Sequence, residues 1–158
     1  MSAEPKIKDL SPSNKVLHAK MLSGLEGRVS EEDVNSFVKK VTSVGAPAIS
    51  AKASVIQALI YGNVTCDPKD KPWKFDESIW GIGAAGGSSI GVMYTAYESW
   101  DPFFTNTRAF HVQGIASGGG ILQITWFDGK GIPIGQFNGA MAGAGGIEGG
   151  GKASWKRK

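Results

Sequence analysis

The apolar positions of the chain change their period near Pro47. Before it they recur at helical spacing. Leu17, Met21 and Leu25 stand four apart, on one face of a helix that Ser13 or Asn14 can cap and that Gly24 and Gly27 bring to an end. Ser30 then precedes Glu31, Glu32 and Asp33, so a hydroxyl meets free N–H groups and the acids meet the positive end of a helix dipole. Val34, Phe37, Val38 and Val41 follow at helical spacing, Lys39 and Lys40 lie towards the C-terminus, and Gly45 with Pro47 closes the element. Two amphipathic helices of this length are marginal alone and must dock on another surface. Residues 1–11 read as a solvated tail rich in charge, Ser and Pro.

After Pro47 the period is that of strands. Ile49–Val64, rich in Val, Ile, Ala and Tyr, predicts a strand that bends or splits near Ala58, and Asp67-Pro68-Lys69-Asp70-Lys71-Pro72 is a loop on its turn chemistry. From Trp73 onward short apolar runs alternate with glycine clusters about every dozen residues, the pattern of an all-β sandwich or barrel. Strands are predicted near 73–83, 87–97, 107–116, 120–128, 132–143 and 147–156, with Asp128-Gly129-Lys130-Gly131 joining two of them as a tight hairpin. The fold class is therefore mainly β, antiparallel, with two short N-terminal α-helices. It divides into a tail and helical segment over 1–46 and a Gly-rich β-barrel domain over 47–158. An open sandwich with the helical pair packed on one sheet is the alternative.

Composition sharpens this picture through glycine. Nineteen of the 23 glycines lie between Gly81 and Gly151. Gly81, Gly83, Gly86 and Gly87 cluster in one run, and Gly131, Gly135, Gly139 and Gly143 recur every four residues, which on a strand places them on one face. Glycines so placed let a strand coil strongly and let a ring or backbone come close. Trp80, Trp126, Phe127, Phe137 and Trp155 lie in predicted strands and are the expected filling. Ser78–Tyr97, Ala109–Phe127 and Gly131–Ile147 each lack Asp, Glu, Lys and Arg, yet their glycines and their polar Ser, Thr, Gln and Asn side chains make them poor membrane helices. Buried or half-buried strands explain them better.

The run from Phe75 through Ile79-Trp80-Gly81-Ile82-Gly83 to Gly86-Gly87, then Gly91-Val92-Met93-Tyr94-Thr95, resembles the virulence-associated (Vap) protein family of intracellular actinobacterial pathogens. The resemblance continues through Asn106-Thr107, Ile124-Thr125-Trp126-Phe127-Asp128 and Gly135-Gln136-Phe137-Asn138-Gly139-Ala140 to Gly149-Gly150-Gly151 and Ser154-Trp155, in order, over about residues 50–156. It implies a compact eight-stranded antiparallel β-barrel with a filled interior, and a role in host interaction or in perturbing membranes.

The titratable residues suggest no catalyst. His111 lies between Phe110 and Val112 with no acid or nucleophile visible beside it, so a satisfied strand histidine is expected, and His18 is expected on a helix surface. Cys66 is the only cysteine, which excludes an internal disulfide, and with two histidines it cannot make a Cys/His zinc site, so no metal is expected. Asp76 and Glu77 are adjacent and point to opposite faces of a strand. Gly81-Ile82-Gly83-Ala84-Ala85-Gly86 fits G-x-G-x-x-G in letters, but Gly87-Ser88-Ser89-Ile90-Gly91 follows where a dinucleotide site needs a helix. No catalytic residue and no cofactor are expected, and the chain reads as a non-enzyme.

The net charge of +3 resides in Lys156, Arg157 and Lys158, too short a run for a nucleic-acid footprint. The expected partner is a protein or a membrane surface. The candidate surface contacts are Val34, Phe37, Val38 and Val41, whose apolar face needs a partner, and Trp100, Phe103 and Phe104, which either present an exposed aromatic loop or plug one end of the barrel. A calycin-type barrel holding a small lipid-like molecule is the alternative function. The first residues carry Glu4, Lys6, Lys8 and Asp9 and no apolar h-region, so no signal peptide is read here. The expected location is cytoplasmic or exported by a non-classical route, with secretion if a leader precedes this chain.

Overall fold

The structure, a computed structural model, describes residues 9–116 and 119–158. Most of the tail expected over 1–11 lies outside the described residues. Both expected helices form where their caps stand. In α1 (Lys15–Gly24) the Asn14 side chain accepts from the Val16 and Leu17 amides at 3.0 and 3.3 Å. In α2 (Glu31–Val41) the Ser30 hydroxyl accepts from the Asp33 amide at 3.1 Å, with three acids in the first turn and two lysines in the last.

The rest is a seven-stranded antiparallel sheet with one more short helix. Its strands are β1 (Ala48–Pro68), β2 (Trp73–Thr95), β3 (Ala109–Ile115), β4 (Ile121–Phe127), β5 (Pro133–Ala140), β6 (Ile147–Lys152) and β7 (Trp155–Arg157). The added helix α3 (Trp100–Asn106) lies between β2 and β3. β2 pairs with β1 along one edge from Phe75 to Tyr94. Its other edge takes β7 at Trp73–Phe75, β6 at Trp80–Gly83 and β5 at Ile90–Thr95. Since β5 pairs β4, β4 pairs β3, and β3 pairs β6, the pairing path returns to β2 and the strands form a ring.

A single strand can stand at both ends of this path because it bends. The β1–β2 register shifts between Leu59 and Tyr61, and β1 doubles back there. The Lys69 amide donates to the Ser50 carbonyl at 2.9 Å, and the Ser54 hydroxyl meets the Thr65 hydroxyl at 2.5 Å. A straight strand would hold Ser50 and Lys69 roughly 60 Å apart. The break expected near Ala58 is thus a bend at Leu59, and the strands expected over 73–83 and 87–97 are two arms of one continuous β2.

Two other expectations change. The strand expected over 132–143 ends at Ala140, because Gly143 is left-handed (φ 82°) and caps a 3-10 turn at Ala144–Gly146. Gly131 stands in the β4–β5 turn, where Asp128 Oδ1 accepts from the Lys130 and Ile132 amides at 2.9 and 3.0 Å. The four-residue glycine period therefore has only Gly135 and Gly139 inside a strand. There it works by contact: a Cβ on Gly135 would run into the Phe103 ring, and one on Gly139 into Ser89 and Phe137. Gly81 and Gly83 pass equally close to the β6 backbone and the turn before it, Gly87 lies against Met141, and a Cβ on Gly86 would make only an ordinary contact with the Val55 carbonyl.

The inside of the ring is packed with aromatic rings. Trp126 lies 5.5 Å from Phe75, 5.6 Å from Phe103 and 5.2 Å from Trp155, and Phe104 lies 5.0 Å from Trp155. Phe110 and Phe137 join the same cluster. Edge-on and tilted pairs at these distances are the favoured arrangement for rings in a core. Trp80 and Phe127 do not share it. Trp80 is 62% exposed, and Phe127 is buried on the outer side against α1 and α2. Each follows an inward residue, Ile79 and Trp126, and neighbours on a strand face opposite ways.

Candidate functional site

The seven candidate contact residues are all buried. Val34, Phe37, Val38 and Val41 pack with Met21 and Leu25 against Phe127, so the surface these helices require is the sheet's own outer face. Trp100, Phe103 and Phe104 form the inner side of α3 and close one end of the ring, with Phe103 fitted into the space left by Gly135. The expected surface contact is corrected for all seven, because each finds its apolar partner within the chain. The plug reading holds for the aromatic three.

The outer face that α1 and α2 cover is polar. The amide of Gln113 on β3 donates to Gln123 on β4 (2.9 Å), Gln123 to Asn138 on β5 (3.0 Å), Asn138 to Gln136 (3.0 Å), and Gln136 to the Thr125 hydroxyl (3.0 Å). All five side chains are buried. Three bonds tie this ladder to the N-terminal segment: Gln113 to the Lys20 carbonyl, Asn138 to the Leu10 carbonyl, and Gln136 to the Met21 sulfur. A buried amide costs stability only when left unpaired, so the ladder depends on its cover as much as on its strands.

Most of the large apolar side chains left uncovered are elsewhere, at the bend of β1–β2, apart from Val44, Ile90 and Ile132. Ile56, Leu59, Ile60, Tyr61, Trp80 and Ile82 are each more than half exposed. Tyr61 opposes Trp80 across the ladder, with ring centroids 5.1 Å apart at 68°, and Leu59 opposes Gly83. Large apolar side chains grouped in this way on a surface mark contact sites more often than singly scattered ones do. Neither Ala53–Cys66 nor Ser78–Tyr97 contains a charged residue, so both strands of the bend are free of charge. Leu59 is also left-handed (φ 61°) and 77% exposed. A side chain with a Cβ in that conformation is strained by about 1–2 kcal/mol, and here it gains no burial in return.

The alternation along β2 marks this patch in the sequence. Along β2, Lys74, Asp76 and Ser78 share the phase of Trp80 and Ile82, and Phe75 and Ile79 share the opposite one. Lys74, Asp76 and Ser78 are polar and face water, so Trp80 and Ile82 do as well.

The titratable residues are dispersed. His111 is buried on the outer face of β3, with Nε2 3.4 Å from a Glu148 carboxylate oxygen. Burial holds its proton affinity below the usual imidazole range; Arg28 acts in the same sense and Glu148 against it. His18 Nε2 pairs with the Asn35 side-chain oxygen at 2.8 Å, joining α1 to α2. Cys66 is fully buried beside Met93, and burial raises its thiol well above the ordinary range, the opposite of an activated nucleophile. Asp76 accepts from the Asn63 amide on the outer face of the hairpin, and Glu77 accepts from the Ser154 amide. The G-x-G-x-x-G run is strand throughout. Among the described residues no group of three or more His, Cys, Asp or Glu side chains could hold a metal, and no helix is long and apolar enough to cross a membrane.

Comparisons with known proteins fall on one family. No curated protein sequence matches the chain. The structure is similar to the virulence-associated protein VapB from the intracellular pathogen Rhodococcus equi, with a TM-score of 0.62 at 21% identity, covering 71% of this chain and 98% of that one. It is similar to VapD from the same pathogen, with a TM-score of 0.58 at 24% identity, covering 70% and 97%. The model of the Rhodococcus equi virulence-associated protein family matches residues 8–156, which takes in the helical arm as well as the strands. The chain thus belongs to the Rhodococcus equi virulence-associated protein family.

Proposed function

We propose that the ring is an eight-stranded antiparallel barrel, with β1 and β2 each supplying two strands on either side of their bends and β7 continuing β6. We propose further that it acts without catalysis, through the apolar bend of β1–β2, as a host-directed factor whose target is the interfacial region of a membrane. The observation that carries this reading is the exposed group Ile56, Leu59, Ile60, Tyr61, Trp80 and Ile82. Side chains more than half exposed stand proud of the surface rather than lining a hollow, which suits a deformable apolar phase. Trp and Tyr have an apolar body with a polar tip and favour the headgroup level of a bilayer. A host-directed role entails export from the cell that makes the protein. The interior filled by Phe75, Phe103, Phe110, Trp126 and Trp155 favours this surface reading over a small-molecule barrel.

Co-sedimentation with phosphatidylcholine vesicles at neutral and acidic pH tests it. The full chain is expected to pellet with vesicles at low and at high salt, since the six contact side chains are uncharged and bind by apolar burial. The double variant Leu59→Asp, Trp80→Asp is expected to stay in solution. Equal pelleting of variant and wild type, or no pelleting of wild type at either pH, overturns the membrane reading. In the second case a protein with an apolar cleft becomes the target to seek.

A further inference from the structure

His111 stands on the same face of β3 as Gln113, two residues along. Gln113 donates to the Lys20 carbonyl of α1 at 2.8 Å, and a Cβ on Gly24 would collide with the Gln113 side chain, so the end of α1 lies directly on this face. The loop from α1 to α2 continues the roof. Arg28 sets its guanidinium 4.6 Å over the Phe127 ring, and its Nη1 lies 3.3 Å from where a Cβ on Gly150, the cross-strand partner of His111, would sit. Within the sheet His111 is flanked by Thr125 of β4 and Gly150 of β6.

The charged groups that bear on His111 are Glu148 of β6 and Arg28 of the helical arm; β4 contributes only the neutral Thr125. Glu148 is half exposed, so water screens its carboxylate and weakens its hold on a buried imidazolium. Arg28 is permanently positive and repels one.

We propose that the N-terminal helical arm, Lys15–Val41, is a cover released by acid, with His111 beneath it as the proton acceptor and Arg28 as the group an imidazolium repels. Burial holds the covered histidine below its ordinary range against the pull of Glu148, and Arg28 adds to the effect of burial, so the uncovered state binds the proton more readily. The covered state keeps its full advantage above the ordinary imidazole value of about 6.5 and loses it as the pH falls below that. The arm yields first because the strands around His111 are laddered on both edges, whereas the arm is held by side-chain contacts and one loop. Release uncovers Val34, Phe37, Val38 and Val41 on the helix and Phe127 on the sheet, a second apolar surface independent of the β1–β2 bend.

Hydrogen exchange of the full chain, corrected for the intrinsic effect of pH, reads this directly. Protection of the α1 and α2 amides is expected to fall by up to about tenfold per pH unit below the imidazole range, as one linked proton allows, with β3–β5 protected throughout. His111→Gln is expected to abolish that fall. Arg28→Gln, on the loop, is expected to blunt it and to raise the His111 titration midpoint seen by NMR. An arm equally protected at both pH values, a fall that survives His111→Gln, an unmoved midpoint in Arg28→Gln, or equal loss across arm and strands each overturns the proposal.

Discussion

The outer faces of β3–β5 and of the β1–β2 bend have exchanged the roles usual for a sheet. The β3–β5 face carries Gln113, Gln123, Thr125, Gln136 and Asn138, side chains at home in water, and the protein covers it with two helices. The bend carries Ile56, Leu59, Ile60, Tyr61, Trp80 and Ile82, and none of the described residues covers it. Folding alone would favour the opposite, since each apolar side chain buried contributes about 1.5–3 kcal/mol and each buried amide at best a small net gain. The contrast teaches that the two surfaces answer to different demands. The polar face is settled within the chain, by a hydrogen-bond ladder that ties it to the helices, and the apolar bend has no such cover among the described residues.

The contrast breaks most visibly in stability. Phe37 is buried between helix and sheet, so Phe37→Ala is expected to cost about 3–5 kcal/mol in urea or thermal denaturation. A loss below ~1 kcal/mol would mean that the arm is not part of the folded unit. The ladder comes next. Gln123→Met keeps the volume but strands the Asn138 oxygen and removes one acceptor from Gln113, at an expected cost of about 1–3 kcal/mol. An unchanged or raised stability would show that the ladder specifies nothing. At the bend the same class of change is expected to do little: Trp80→Ala, at a position 62% exposed, should move stability by no more than about 0.5–1 kcal/mol while weakening vesicle binding. If it destabilised the protein as much as Phe37→Ala, the bend would be core and the contrast would vanish.

The sequence made the local elements legible and left their assignment to faces harder. The caps at Asn14 and Ser30, the turn at Asp128–Gly131 and the change of period at Pro47 all hold, because each is a matter of a few neighbouring residues. The family resemblance located the strand region over about residues 50–156, and the family match extends it back to residue 8. What failed was the choice of partner. The helix face Val34, Phe37, Val38 and Val41 announced a need for apolar contact, but Phe127, which meets it, lies 86 residues beyond Val41, behind a predicted strand that also supplied Trp126 to the interior. Adjacent aromatics on a strand cannot share a core, and that alternation was available in Trp126-Phe127 and Ile79-Trp80. The amide ladder was not legible at all, since a Gln on a strand reads as solvent-facing until a helix is known to lie over it.

Leu59 offers the finest cut between the two surfaces, because there the demands of folding and of contact have opposite signs. Its backbone is left-handed at φ 61°, where a Cβ is strained, and its side chain is 77% exposed, so it returns neither good backbone geometry nor burial. Glycine tolerates that conformation without strain, though it loses more chain entropy on folding. Leu59→Gly is therefore expected to leave stability unchanged or raise it by up to about 1 kcal/mol, measured by chemical denaturation, and to weaken vesicle binding at the same time. Leu59→Ala separates the two contributions: it keeps the strain and loses the apolar reach, so binding should fall with no gain in stability. A protein that loses more than ~1 kcal/mol with glycine at this position would place Leu59 in the folding of the hairpin and remove the strongest reason for reading the bend as a surface kept for contact.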